Sequence, residues 1–191
     1  MDVYFKKEIT YVFKDQEFKF DVAETLFSTF DIDHGTDILI RAIETNKPKS
    51  ILDLGCGYGP LGIILAKNNP QSEAVMVDRD LLAVQYTKNN ISKNNVTNAV
   101  VGGSLGIESV KDKTFDLIVS NIPAKIGDKA ITQEFIVKPY GLLNPKGEFW
   151  VVVVSALNRL IPGVCSKNSI KVTQIRKRRG HTVYKIRKST N

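Results

Sequence analysis

Residues 51–62, ILDLGCGYGPLG, run from an apolar segment of strand length straight into glycines and then, through Pro60, into PLGIILAKN with apolar residues at helical spacing. A strand that stops in glycines and turns into a helix lets the backbone approach a ligand closely and aims helix N-terminal amides at it. The next segment, EAVMVDRD, is again strand-like, so the three pieces form a βαβ unit. Such a unit requires a parallel sheet covered on both faces.

The rest of the chain continues the alternation. LLAVQYTKNNISKNN predicts a helix, AVVGG a short strand, TFDLIVSN a strand stopping at Asn121, and 128–138 a helix that Pro139 and Gly141 break. GEFWVVVVS predicts a buried strand, ALNRLIPGVC at most a short helix, and IKVTQIRKR with HTVYKIRK a hairpin that adds one antiparallel strand. Upstream, ITYVFKDQEFKF alternates around a polar DQE turn, and GTDILIRAIET places Ile38, Leu39, Ala42 and Ile43 on one helical face. The expectation is an α/β, Rossmann-like, seven-stranded, mostly parallel sheet with an antiparallel C-terminal hairpin strand. A small N-terminal β-hairpin and helix lie beside the first central strand. One domain spans 1–191, with 1–34 as an N-terminal hairpin extension and 35–191 as the Rossmann-like core.

At 191 residues the chain has length enough for a real core. No apolar h-region opens it and FWVVVV is too short to span a bilayer, so a cytoplasmic protein is expected. Two cysteines without a CxxC pair and two histidines offer no plausible metal site, and Cys56 reads as a small residue fitting the glycine loop. The net charge of +7 is local: nine Lys/Arg and no acid follow Lys167 inclusive, leaving 18 basic against 20 acidic residues, −2, for the remainder. A strand-borne basic segment on a near-neutral body suits phosphate backbones.

Gly57, Gly59 and Gly62 satisfy the GxGxxG dinucleotide fingerprint, and Asp78 stands at about the distance of its ribose-binding acid. Asp53 argues against a pyrophosphate, since an anion two residues before the first glycine repels phosphate and favours an ammonium. A ligand with a ribose and an amino-acid ammonium but no phosphate describes S-adenosylmethionine. Asp80 reads as the N-cap of the following helix. No acid–base candidate follows the loop and both histidines fall outside the expected active face, so a nicotinamide dehydrogenase is disfavoured.

DLGCGYGPLG, VDRD and SNIPA, in this order, resemble motifs one, two and four of class I S-adenosylmethionine-dependent methyltransferases. LFSTFDIDHGTDILI is similar to the VFS…D.GT.LL segment of the small-domain group typified by 16S ribosomal RNA guanine-N2 methyltransferase C; the likeness covers about 18–155. The resemblance implies that Gly55, Gly57 and Gly59 lie along the cofactor with Asp53 near its methionine end, that Asp78 binds the ribose, and that Thr36 borders the cofactor, although a plain helix cap would look the same at Thr36. Ser104 stands where the family carries an acidic or amide residue beside the adenine, a departure.

The family's tetrad is Asn-Pro-Pro-aromatic; here it is Asn121-Ile122-Pro123-Ala124. An exocyclic amine or amide nitrogen has its lone pair drawn into a π-system. Accepting its N–H groups on the Asn121 side-chain oxygen and the Ile122 carbonyl re-aims that pair at the methyl donor. Pro123 keeps Ile122 extended. Ala124 lacks the stacking ring, for which Phe27 and Phe30 are candidates. Lys125 and Lys129 on the rim, with Arg176, Arg178 and Arg179 of the basic end, are expected to meet RNA phosphates.

These features imply an S-adenosylmethionine-dependent N-methyltransferase acting on an exocyclic amine, guanine N2 of ribosomal RNA foremost, with RNA or the small ribosomal subunit as partner and neither metal nor membrane. The alternatives are a catalytically degenerate RNA- or protein-binding module of the same fold and a methyltransferase acting on protein glutamine or adenine N6.

Overall fold

The computed structural model describes residues 3–24, 32–44 and 46–189. Its main sheet contains seven strands: β3 (Ser50–Leu54), β4 (Glu73–Asp78), β5 (Ala99–Gly103), β6 (Phe115–Asn121), β7 (Leu143–Val154), β8 (Lys171–Arg178) and β9 (His181–Arg187). Their order is β5-β4-β3-β6-β7-β9-β8, with β9 antiparallel to both β7 and β8 and the other paired strands parallel. The expected seven-stranded, mostly parallel sheet is therefore present, and β9 is its antiparallel strand.

β7 shows why the sheet is covered on both faces. Trp150 and Val152 enter one apolar cluster, shared with α1 (His34–Ala42), α2 (Pro60–Asn68) and α3 (Leu81–Lys93). Phe149, Val151 and Val153 enter the opposite cluster, shared with α4 (Asp128–Thr132), α5 (Lys138–Gly141) and α6 (Leu160–Lys167). Period-two alternation of apolar residues alone is what a strand buried on both sides requires.

Three expectations need correction. The helix beginning at Asp128 is not broken at Pro139: a π turn, Gln133–Val137, links α4 to α5, with the Lys138 N–H reaching Gln133 O. Proline clashes with the carbonyl four residues back, and the wider π turn relieves that contact. The N-terminal hairpin, β1 (Phe5–Phe13) and β2 (Gln16–Ala23), is a separate two-stranded sheet and does not flank β3. Its turn is Lys14–Asp15, at φ 48 and 61, not DQE; both central residues adopt the left-handed conformation of a two-residue hairpin turn. The hairpin sits on α3, where Asn90 Oδ1 accepts from Asp21 N–H (2.8 Å) and Asn94 Oδ1 from Lys19 N–H (2.9 Å). Tyr11 also donates to Asp37 Oδ1 on α1 (2.7 Å), an oxygen shared with Arg41.

Among the described residues no helix is long and apolar enough to cross a membrane.

Candidate active site

The site lies at the C-terminal edge of the parallel strands, where β3, β4, β5 and β6 deliver their last residues. Gly55, Gly57 and Gly59 all have positive φ (75, 57 and 93), which explains glycine at these positions. A Cβ on Gly57 would meet nothing within 4 Å, so the loop faces open space there. Gly62 serves packing instead: a Cβ on it would run into Met76 and come within 2.9 Å of Asp53 Oδ2.

Asp53 is 1% exposed and its Oδ2 accepts from the Gly62 N–H (2.8 Å), so its carboxyl is turned under the start of α2. Burial raises its pKa to about 7, the charge of Asp78 adds to the rise, and the Gly62 hydrogen bond opposes it. Asp78, partly exposed, accepts Gly57 N–H on Oδ2 (2.8 Å) and Asp80 N–H on Oδ1 (3.0 Å), linking the end of β4 to the glycine loop. Each oxygen keeps a further lone pair for hydroxyl donors. Asp80 caps α3 through Leu82 N–H, as its sequence position implies.

The loop is held from behind by α3. Thr87 donates to Gly57 O (2.7 Å) and Asn90 to Tyr58 O (2.9 Å), both from fully buried side chains. The Cys56 thiol is buried, and desolvation with the charges of Asp53 and Asp78 pushes its pKa well up, so it is an inert filler.

Ser104 follows β5, its N–H on Asp78 O (2.8 Å) and its Oγ accepting from Ser109 N–H (3.1 Å). Leu81 (73% exposed) and Leu105 (72%) flank this corner, and a Cβ on Gly103 would lie 3.0 Å from Leu81 Cδ2. Two exposed leucines beside the acid that ends β4 present apolar surface for a flat ring. Leu105 stands next to the expected Ser104 but gives no periodic signal of its own.

At the end of β6, Asn121 pairs with Val152 and is partly exposed, while Ile122 donates its N–H to Val152 O (3.0 Å) and buries its side chain. Pro123 has no N–H, so the ladder ends there. The Asn121 amide nitrogen donates to Asp33 Oδ2 (2.7 Å) and to Thr36 Oγ1 (3.0 Å). Thr36 is thus brought to Asn121, and Asp33, the N-cap of α1, joins a site for which only the D.GT likeness hinted at it. Gly35 leaves room for this cluster: its Cβ would lie 2.9 Å from Asp33 Oδ2, 3.0 Å from His181 Cδ2 and 3.4 Å from Asn121 Nδ2. His181 therefore stands at the active edge, contrary to expectation, because the antiparallel β9 begins where β7 ends.

The basic residues expected to meet RNA phosphates divide by position. Arg176 pairs with Val183, Val183 with Val152 and Val152 with Asn121, so one row crosses the sheet from Asn121 to Arg176, about 14 Å at ~4.8 Å per strand. Arg178 pairs with His181, and Arg179 and Gly180 form the turn beyond, at the same edge. Lys125 and Lys129 are exposed just after the tetrad. Three basic residues of the same C-terminal segment are occupied elsewhere: Lys185 and Arg187 pair with Glu148, and Lys188 donates to the carbonyls of Gly141 and Leu143. Phe27 and Phe30 lie outside the described residues. Phe135, in the π turn, brings its ring to within 3.5 Å of a Gly55 Cβ position.

Residues 17–185 match the family model of the methyltransferase small domain. The chain belongs to that family. The family's methyl donor is S-adenosylmethionine, and the chemistry it would need is present at this edge: a loop open at Gly57, free lone pairs on Asp78 and the apolar Leu81–Leu105 corner. Protein YbxB of Bacillus subtilis is 28% identical over 191 residues, covering 96% of this chain and 92% of the relative. Ribosomal RNA small subunit methyltransferase C of Haemophilus influenzae (strain ATCC 51907 / DSM 11121 / KW20 / Rd) is 32% identical over 136 residues. That match covers 69% of this chain but only 40% of the relative. The fold is that of the T. thermophilus 16S rRNA N2 G1207 methyltransferase in complex with AdoMet and guanosine: TM-score 0.80, 23% identity, 95% of this chain and 50% of that one. The chain thus spans about half or less of those two rRNA methyltransferases.

Proposed function

We propose that this methyltransferase modifies an exocyclic nitrogen of ribosomal RNA, guanine N2 foremost. The observation that supports the reading is the row joining Asn121 to Arg176: the carboxamide read as the amine acceptor and the basic strand read as the phosphate contact share one edge of the sheet. The rRNA methyltransferases named above support it. Gly55, Gly57 and Gly59 with Asp78 hold the methyl donor, with Asp53 beneath its methionine end and Thr36 and Ser104 at its borders. When bound, S-adenosylmethionine supplies a sulfonium methyl whose C–S bond breaks as the N–C bond forms, the sulfur keeping the electron pair and the nitrogen losing one proton to water.

The protein's own part is orientation. Asn121 Oδ1 and the Ile122 carbonyl accept the two N–H bonds of the target amine, drawing its lone pair out of the ring's π-system towards the methyl. Pro123 keeps the Ile122 carbonyl extended from the strand. Lys125, Lys129, Arg176, Arg178 and Arg179 carry the phosphate backbone past the site.

The test is transfer of labelled methyl from S-adenosylmethionine to unmodified small-subunit ribosomal RNA, free and assembled, followed by mapping of the modified nucleotide. Label on guanine N2 that depends on Asn121 supports the reading. Label appearing only on ribosomal protein, or RNA binding without transfer, overturns it.

A further inference from the structure

Asn121 is useful as an acceptor only if its carboxamide oxygen faces the substrate, yet a carboxamide has two ends of nearly equal shape. The surroundings decide between them. Asp33 Oδ2 lies 2.7 Å from one end of the Asn121 amide, and Thr36 Oγ1 lies 3.0 Å from the same end. A carboxylate oxygen only accepts, so the end that meets it is the NH2 and Oδ1 is turned the other way. Both amide hydrogens are then used, one on each partner. Asp33 is itself anchored, because the same oxygen accepts the Thr36 N–H (3.1 Å) at the start of α1.

We propose that Asp33 is a positioning residue for methyl transfer: it locks the Asn121 carboxamide with Oδ1 towards the acceptor amine. This rests on the reading of Asn121 as the amine acceptor. A reversed carboxamide would set an NH2 against the substrate's NH2, two donors with no acceptor between them. The negative charge behind the amide also polarises it, so that Oδ1 becomes a stronger acceptor. Gly35 is part of the device, since a side chain there would occupy the space of the Asp33–Asn121 hydrogen bond. An N-cap alone needs a side-chain oxygen near Thr36 N–H, but it does not require that oxygen to reach Asn121 across 88 positions of sequence.

The test uses the full chain and two readouts. The Asn121 side-chain NH2 resonances, assigned by their loss in Asn121→Ala, report the clamp without reference to activity. Asp33→Ala moves them and slows methyl transfer to small-subunit ribosomal RNA by about ten- to a hundredfold at saturating donor. Affinity for S-adenosylhomocysteine stays within about twofold, since the hydrogen bonds of Asp33 among the described residues go to Thr36 and Asn121 and not to the glycine loop. Asp33→Asn, which keeps an oxygen for both Thr36 N–H and Asn121, retains most of the rate and guards against a folding defect in the alanine variant. In an Asn121→Ala background, Asp33→Ala costs less than about another twofold. Unmoved resonances in Asp33→Ala, or a full further loss of rate in the double variant, overturn the proposal. A wild-type chain whose spectrum shows the clamp but which methylates no RNA overturns the proposed function instead.

Discussion

The ring of Phe135 lies against Gly55, with Cε1 3.5 Å from where a Gly55 Cβ would be, so the π turn of the α4–α5 helix delivers an aromatic ring to the end of β3. Ala124 leaves the tetrad without its ring, and this one stands at the end of the neighbouring strand. π turns recur at functional sites because they re-aim a side chain that a regular helix would place elsewhere.

Replacing that ring while keeping its bulk separates stacking from packing. Phe135→Leu is expected to leave S-adenosylhomocysteine affinity within about twofold and to raise KM for RNA about five- to fiftyfold, the effect of losing one base–aromatic stack. Calorimetry and steady-state kinetics on the same preparation check it. The reverse pattern would assign the ring to the cofactor loop.

Gly35→Ala inserts a methyl 2.9 Å from Asp33 Oδ2 and 3.0 Å from His181 Cδ2. Alanine is favoured over glycine in a helix by up to about 1 kcal/mol, which offsets part of the crowding. The expected result is a small change in melting temperature with a loss of methyl transfer of about tenfold or more, because displacing Asp33 frees the Asn121 amide. Thermal unfolding and single-turnover rates measure the two effects.

Asp53 has a folded-state pKa of about 7, raised above its ordinary 3.8 by burial. The folded form therefore binds more protons than the unfolded form between those values. Its contribution to stability is full below about pH 4, declines as pH rises through 7, and is constant above. Asp53→Asn removes this dependence, so the melting temperature of the variant relative to wild type should climb between about pH 4 and pH 7 and then level off. A difference that stays flat across that window would show that Asp53 does not titrate there.

Charge removal at the two ends of the β8–β9 hairpin should have different consequences. Arg176→Ala with Arg178→Ala is expected to weaken RNA binding and lower the magnitude of the salt slope by about one for each phosphate no longer neutralised. Lys185→Ala with Arg187→Ala removes the cationic partners of Glu148 at the other end, leaving it only the Trp150 indole N–H, so it should alter stability more than RNA affinity. Binding titrations at several salt concentrations distinguish the pairs.

Much of the fold was legible because it is local. The glycines of 55–59 announce their turn, and the apolar run of β7 announces a doubly buried strand. What stayed hidden depends on distance or on geometry without a residue code. Asp33 and Asn121 meet across 88 positions, and the D.GT likeness located Asp33 without giving it a partner. The π turn depends on a five-residue hydrogen-bond step that no residue type marks, so Pro139 read as a break. His181 looked remote because only the insertion of β9 between β7 and β8 returns it to the active edge. Thr87 and Asn90 read as polar positions of an ordinary helix, and their buried faces show only once α3 is packed behind the glycine loop.

That insertion has a further consequence. β9 covers a flank of β7 that would otherwise present FWVVVV as an open edge, a template for pairing with other chains. The outermost strand is then β8, exposed along most of its length and carrying Lys171, Arg176, Lys177 and Arg178. The cations proposed to meet RNA are thus also the guard that keeps an unpaired edge from recruiting a second copy, and neutralising them should expose the chain to self-association wherever no polyanion is present to shield it.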